Sequence, residues 1–178
     1  GLKQWKKQTI NILEVSFGTG LNTLLCALDA QESKKQIHYS TLEKFPVSIE
    51  KAFQLNYSRQ IGNAAASLLF SKIHTTEWEK EKPILENFTL KKIKCDFTTF
   101  RWDKTYDVVF FDAFSPEKQP EMWTTEQFQK IYNACNKGAI LTTYCAKGIV
   151  RRALQSAGFT VERLPGPPGK REILRAIK

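Results

Sequence analysis

The sequence predicts an α/β protein built on a mainly parallel sheet with an antiparallel C-terminal edge. Three observations carry that prediction. Short apolar runs suited to buried strands alternate with stretches of helical periodicity. The first run, INILEV, feeds a loop holding Gly18 and Gly20 before a helical pattern begins. Two short β-prone segments flank PGPPGK and follow the last helical stretch directly.

Taken in order, strands are expected at residues 10–15, 37–42, 88–95, 106–112 and 139–144, each an apolar run fit for burial on both faces. Helices are expected between them at 21–30, 47–55, 64–78, 125–135 and 147–157. Segments 159–164 and 172–177 are expected to close the sheet as an antiparallel pair. The charge run EWEKEK at 77–82 reads as a solvated helix end, with Pro83 stopping the helix. Trp123, after the PEM turn, is expected in the core. The connection 56–86 is longer than one crossover helix needs and receives no function.

A chain of 178 residues suits one domain, 1–178. It starts at Gly1 rather than Met, and the first apolar run opens only at Ile10, so an upstream segment is expected. No apolar run approaches the roughly 20 residues that span a bilayer, and no secretion signal is visible, so a cytoplasmic protein without a membrane partner is expected. Cys26, Cys95, Cys135 and Cys145 are scattered with no CxxC pair, which argues against a zinc site and a disulfide framework. His38 and His74 are the only histidines and are read as structural, so no metal site is expected.

The net charge of +9 is concentrated. From Lys137 to Lys178 stand nine basic residues against Glu162 and Glu172, so +7 of the total belongs to the C-terminal quarter. Such a one-sided excess is the footprint of a polyanion-binding face, since each Lys or Arg near a phosphate releases a counterion.

Ligands of open parallel sheets bind beyond the carboxyl ends of the strands. There the sequence sets EVSFGTG after the first strand, Glu43 after the second, Asp96 after the third and DAFSP after the fourth. Gly18 and Gly20 permit positive φ and a close backbone approach to a nucleotide-like cofactor. Glu43 suits both hydroxyls of a ribose, and Asp96 the exocyclic amine of an adenine. Asp112 ends the very apolar strand VVFF and is expected in an apolar mouth, where a carboxylate needs a cation or donors such as a substrate amine. Phe114 and Pro116 could wall a flat base.

The blocks EVSFGTGLN, HYSTLEKFP, DVVFFDAFSPEKQPEMW, TTYCAKGIVRRALQSAGF and PGPPGKRE, in that order, closely resemble the methyltransferase domain of the bifunctional tRNA 5-methylaminomethyl-2-thiouridine biosynthesis protein family. The resemblance covers essentially the whole chain. It implies a class I, Rossmann-like methyltransferase that uses S-adenosyl-L-methionine to methylate the aminomethyl group of 5-aminomethyl-2-thiouridine at the tRNA wobble position. It implies cofactor roles for Gly18, Gly20 and Glu43, and the catalytic position for Asp112. The full expected cofactor set is Glu14, Ser16, Phe17, Gly18, Gly20, Asn22, Glu43 and Asp96. Lys147, Arg151, Arg152, Lys170 and Arg171 are expected on phosphates of the anticodon stem-loop, with Phe114 and Pro116 near the base. The family's flavin-dependent oxidase half is missing, so a separate oxidase is a candidate partner. Class I methyltransferases usually carry glycine where this chain has Ser16, which puts the closeness of the loop to the cofactor in question.

Three rivals fit parts of the pattern. An aminopropyltransferase shares the fold and an aspartate after the fourth strand, but concentrated positive charge suits small cationic substrates poorly. A nicotinamide oxidoreductase would want a third glycine where the loop reads Asn22 and Thr23. A non-catalytic RNA-binding module of the same fold is the third, and Ser16 is the residue that favours it.

Overall fold

The computed structural model describes residues 5–178, apart from the Ser58 side chain, so the start of the chain at Gly1 lies outside it. Strand β1 (Thr9–Val15) is buried almost throughout, with Ile10, Ile12, Leu13 and Val15 fully enclosed. Burial on both faces is why this strand is a continuous apolar run. Residues up to Asn11 and from Phe17 to Cys95 form one compact unit; Ile12–Ser16 and residues from Asp96 onward form a second.

In the first unit, α1 (Leu21–Ser33) leads to β2 (Gln36–Glu43), which pairs in parallel with β4 (Phe88–Lys94) from Ile37↔Phe88 to Glu43↔Lys94. Between them come α2 (Ile49–Phe53), α3 (Tyr57–Ile61), α4 (Ala66–Thr75) and β3 (Glu81–Leu85). Helix α4 packs against α1, α2 and α3. His38 spans the β2 and β4 strands through a 2.9 Å hydrogen bond between Nδ1 and Thr89 Oγ1.

The segment expected as a helix end instead leads into a strand, whose first residues are Glu81 and Lys82. Helix α4 stops at Thr75, and the Thr76 hydroxyl caps it by donating to the Lys72 carbonyl at 2.6 Å. Trp78 then bridges to Lys92, and Glu79 takes a left-handed conformation, φ 65°, with its amide on the Lys92 carbonyl. Strand β3 follows, antiparallel to β4, with Pro83 opposite Thr89. Proline terminates helices but is tolerated on a sheet edge, where its missing N–H has no partner to lose.

In the second unit, the end of β1 pairs in parallel with β5 (Tyr106–Phe111), from Ile12↔Val108 to Val15↔Phe111. Beyond β5 come α5 (Thr125–Ala134) and β6 (Cys135–Thr143), which starts four residues before the expected strand and pairs in parallel with β5. Helix α6 (Gly148–Ser156) packs against α5. Strands β7 (Thr160–Pro165) and β8 (Glu172–Ile177) form the expected antiparallel pair, with β8 antiparallel to β6. The hydrogen-bonded strand order is β3-β4-β2 in the first unit and, from the end of β1, β1-β5-β6-β8-β7 in the second.

Phe111 anchors the second core. Its ring meets Trp123 at 4.9 Å, Phe128 at 5.2 Å and Phe97 at 5.6 Å between centroids. Each such ring contributes about 1.5–3 kcal/mol by leaving water. Trp123 is therefore a core residue, as expected.

Candidate active site

The loop after β1 turns by alternating handedness. Ser16, Gly18 and Gly20 have φ of 76°, 54° and 75°, and hydrogen bonds fix the residues between them. The Phe17 amide donates to the Leu42 carbonyl at 3.0 Å, and the Gly20 amide to the Phe17 carbonyl at 2.9 Å. Gly20 then caps α1. A β-carbon on Gly20 would lie 2.9 Å from His74 Nε2 and 3.0 Å from the Phe17 ring, so a close approach as well as φ requires glycine there. At Gly18 a β-carbon would meet nothing within 4 Å. That bare backbone leaves space beside it for a ligand.

Ser16 takes the left-handed conformation that glycine adopts freely. The substitution therefore leaves this backbone geometry available and costs on the order of 1 kcal/mol of strain.

Glu43, the last residue of β2, reaches back to the loop. Its Oε2 accepts the Gly18 amide hydrogen at 3.0 Å and its Oε1 the Phe45 amide hydrogen at 2.9 Å. Each carboxylate oxygen keeps a further lone pair, so both can still accept a hydroxyl. A fixed acceptor pair beside an open glycine backbone is the donor set a ribose diol fits. The Phe17 ring is buried against His74 and Trp78, with the Lys92 ammonium 5.7 Å from its centroid. Asn22 lies half-buried in the first turn of α1.

In the second unit, Glu14 is buried in β1 opposite Phe110. Asp96 caps the short 3-10 turn Phe97–Thr99, its Oδ1 accepting the Thr98 amide at 2.9 Å and hydroxyl at 2.7 Å. Asp112 follows β5 directly, and its amide donates to the Val15 carbonyl at 3.1 Å. Its side chain is exposed, not enclosed in an apolar mouth, because the alternating direction of the extended chain sends Phe111 and Ala113 into the core and residue 112 outward.

The DAFSP segment is fastened at several points. The Tyr144 hydroxyl donates to the Ala113 carbonyl at 2.9 Å, Trp123 Nε1 to the Phe114 carbonyl at 2.8 Å, and the Phe114 amide to Gln119 Oε1 at 3.1 Å. Pro116 is buried, whereas the Phe114 ring is 68% exposed. Lys147 pairs with Glu117 and, helped by that residue's own amide and the Ser115 hydroxyl, holds its carboxyl down to about 2. The Lys170 ammonium lies 3.8 Å from the centroid of Tyr144. Two expected phosphate contacts thus adjoin the segment carrying Asp112. Arg151 is half-buried and Arg152 exposed on α6; Arg171 is exposed beside Lys170. Arg175 and Arg163 are paired with Glu162 and Glu172, so part of the C-terminal positive charge is neutralised locally.

Comparison with known proteins gives the family of the chain. The family model described as S-adenosyl-L-methionine-dependent methyltransferase matches residues 72–178. The chain belongs to the S-adenosyl-L-methionine-dependent methyltransferase family. S-adenosylmethionine is accordingly the cofactor of this methyltransferase, and the open Gly18 backbone with its neighbouring Glu43 acceptors fits it. The chain is 33% identical over 94% of its length to the tRNA 5-methylaminomethyl-2-thiouridine biosynthesis bifunctional protein MnmC of Marinomonas sp. (strain MWYL1), and 30% identical over 98% of its length to the protein of that name from Pseudoalteromonas atlantica. It covers 26% and 27% of those proteins, and so spans about a quarter of the length of these relatives. Among solved structures, MNMC2 from Aquifex aeolicus superimposes with a TM-score of 0.72 at 26% identity, over 96% of this chain and 54% of that one.

Sequence reasoning missed the residues beneath the glycine loop of this methyltransferase. His74 Nε2 bonds the Thr19 carbonyl at 3.2 Å, and Lys92, fully buried, donates to the His74 carbonyl at 2.9 Å while lying 4.9 Å from the Trp78 ring centroid. Burial pushes the Lys92 ammonium down to about 8. The period-two alternation of FTLKKIK sets Lys92 on the face of Phe88 and Leu90, but its residue type argues against burial, and its partners His74, Phe17 and Trp78 come from elsewhere in the chain.

Proposed function

We propose that this chain methylates the exocyclic aminomethyl nitrogen of 5-aminomethyl-2-thiouridine at the wobble position of tRNA. The observation that carries the reading is Asp112: an exposed carboxylate at the end of β5, hydrogen-bonded through its amide to the strand that feeds the glycine loop, in a segment tied to Lys147. The names of the relatives support the same substrate. When bound, the cofactor supplies an electrophilic methyl group on a sulfonium.

The protein's work is then positioning and proton handling. Glu43 and the Gly18 backbone hold the nucleoside end of the cofactor, and Asp96 accepts from its amine. Asp112 attracts the substrate ammonium, orients it, and accepts the proton given up as the nitrogen lone pair is presented, directly or through water. Phe114 offers its exposed ring to the base. Lys147, Arg151, Arg152, Lys170 and Arg171 hold phosphates of the anticodon stem-loop, which positions the RNA without reading its sequence. A reaction that strips a carboxymethyl group from the same nitrogen, carried out by a flavin-dependent oxidase in the cytoplasm, supplies the substrate.

Mass spectrometry of nucleosides from tRNA incubated with isotope-labelled cofactor tests the reading. Label on the aminomethyl nitrogen is expected. Label only on a small polyamine, or on another atom of tRNA, overturns it.

A further inference from the structure

The connection between β2 and β4, which the cofactor and substrate roles leave unused, grips the glycine loop at one residue. Thr19 lies between Gly18 and Gly20. Its carbonyl accepts from His74 Nε2 at 3.2 Å, and its hydroxyl shares a 3.0 Å hydrogen bond with the Tyr57 hydroxyl. Both partners come from helices about 40 to 55 residues downstream, α3 and α4, which pack on each other.

The histidine is itself locked. A carbonyl only accepts, so Nε2 carries the proton in this hydrogen bond. Its ring lies 4.5 Å from that of Phe70 and 5.4 Å from that of Phe17, and burial holds the imidazole below its ordinary range, Lys92 adding to this and the Thr19 hydrogen bond opposing it. Tyr57 packs edge-on against the same Phe70 at 6.0 Å. The Lys92 ammonium pins the His74 carbonyl at the end of α4. Between Gly20 and the imidazole there is no room for a side chain.

We propose that His74 is a positioning residue for cofactor binding: with Tyr57 it fixes Thr19, and through Thr19 the open backbone of Gly18 against the Glu43 carboxylate. The proposal rests on the assignment of the Gly18–Gly20 loop and Glu43 as the cofactor site. It gives the α3–α4 connection a function, that of a clasp which sets cofactor affinity without touching the reacting atoms.

The test uses three variants and a control, with S-adenosylhomocysteine titrated by calorimetry and initial rates measured against S-adenosylmethionine. His74→Phe keeps the ring packing and removes the donor; His74→Gln keeps a donor; Tyr57→Phe removes one hydroxyl. Glu43→Ala is the control for the site itself. His74→Phe is expected to raise Kd and the cofactor KM about tenfold, with a much smaller change in kcat at saturation, and Tyr57→Phe to raise them roughly threefold. His74→Gln is expected to recover most of the loss, which packing alone would not produce. Weakened binding in Glu43→Ala with unchanged binding in His74→Phe and Tyr57→Phe overturns the clasp and leaves the site standing. Unchanged binding in all variants, the control included, overturns the site assignment as well. Should His74→Phe fold poorly, Tyr57→Phe decides alone, since loss of one hydroxyl leaves the aromatic packing intact.

Discussion

Glu43 and Gly18, 25 residues apart, meet in a 3.0 Å hydrogen bond from the glycine amide to the carboxylate. A second amide, that of Phe45, holds the other oxygen, so the acceptor is oriented before any ligand arrives. Replacing Glu43 by Gln leaves one accepting oxygen for two backbone donors. S-adenosylhomocysteine affinity is expected to fall roughly 10- to 100-fold in Glu43→Gln, measured by calorimetry, because hydrogen bonds to an ionised group contribute about 1.5–3 kcal/mol.

The proposed reaction assigns proton handling to Asp112. Asp112→Ala is expected to lower single-turnover methyl transfer by about 10²- to 10⁴-fold while cofactor Kd changes only a few-fold. Parallel rate and calorimetric measurements check this. Undiminished transfer would remove Asp112 from the reaction.

Ser16 at φ 76° is the site of backbone strain in the loop's first turn. Glycine relieves that strain but frees the unfolded chain by about 0.5–1 kcal/mol, so Ser16→Gly is expected to alter stability by less than about 1 kcal/mol. Valine, whose branched β-carbon tolerates positive φ badly, is expected to destabilise by about 2 kcal/mol or more. Urea denaturation at constant m-value distinguishes the two.

Lys92 makes stability depend on alkaline pH. Its folded value of about 8 lies below the unfolded value near 10.5, so between these the unfolded chain binds more protons and stability rises with pH; below about 8 both states are charged and the slope vanishes. The gain across the window is on the order of 3 kcal/mol. Urea unfolding at pH 7.5, 8.25 and 9 should show the start of that rise, and Lys92→Met should abolish it; above about pH 9 the buried Cys135 thiol, pushed up to about 12, acts in the opposite direction.

Arg151 and Arg152 on α6 test the proposed nucleic-acid contact. Converting both to Glu is expected to weaken tRNA binding and to flatten its dependence on salt by about one unit of log–log slope for each phosphate that is no longer neutralised. Cofactor affinity should not change. An unaltered slope would return both to an ordinary solvated surface.

The parts of this fold that announce themselves are those whose burial has a sequence period. Runs such as INILEV and VVFF mark β1 and β5, and the flanking glycines mark the turn between β1 and α1. Strand β3 escapes that reading because an edge strand needs little burial, and its charges and Pro83 mimic a helix terminus. In the candidate site, Glu43 and Asp112 stand at strand ends and are visible as such. The left-handed turn at Ser16 is not, because the residue type argues against it. The contact between His74 and Thr19 joins positions 55 apart and exists only once α4 has docked.

The last strand of each unit's order carries the same device. Pro83 and the flanking Glu81 and Lys82 occupy β3 in the first unit, while Glu162, Arg163 and Pro165 occupy β7 in the second. An outlying strand with free backbone donors and acceptors is a template onto which another molecule can add, and proline and charge spoil that template. Each of these two strands thus carries its own guard against the addition of a further strand from another molecule.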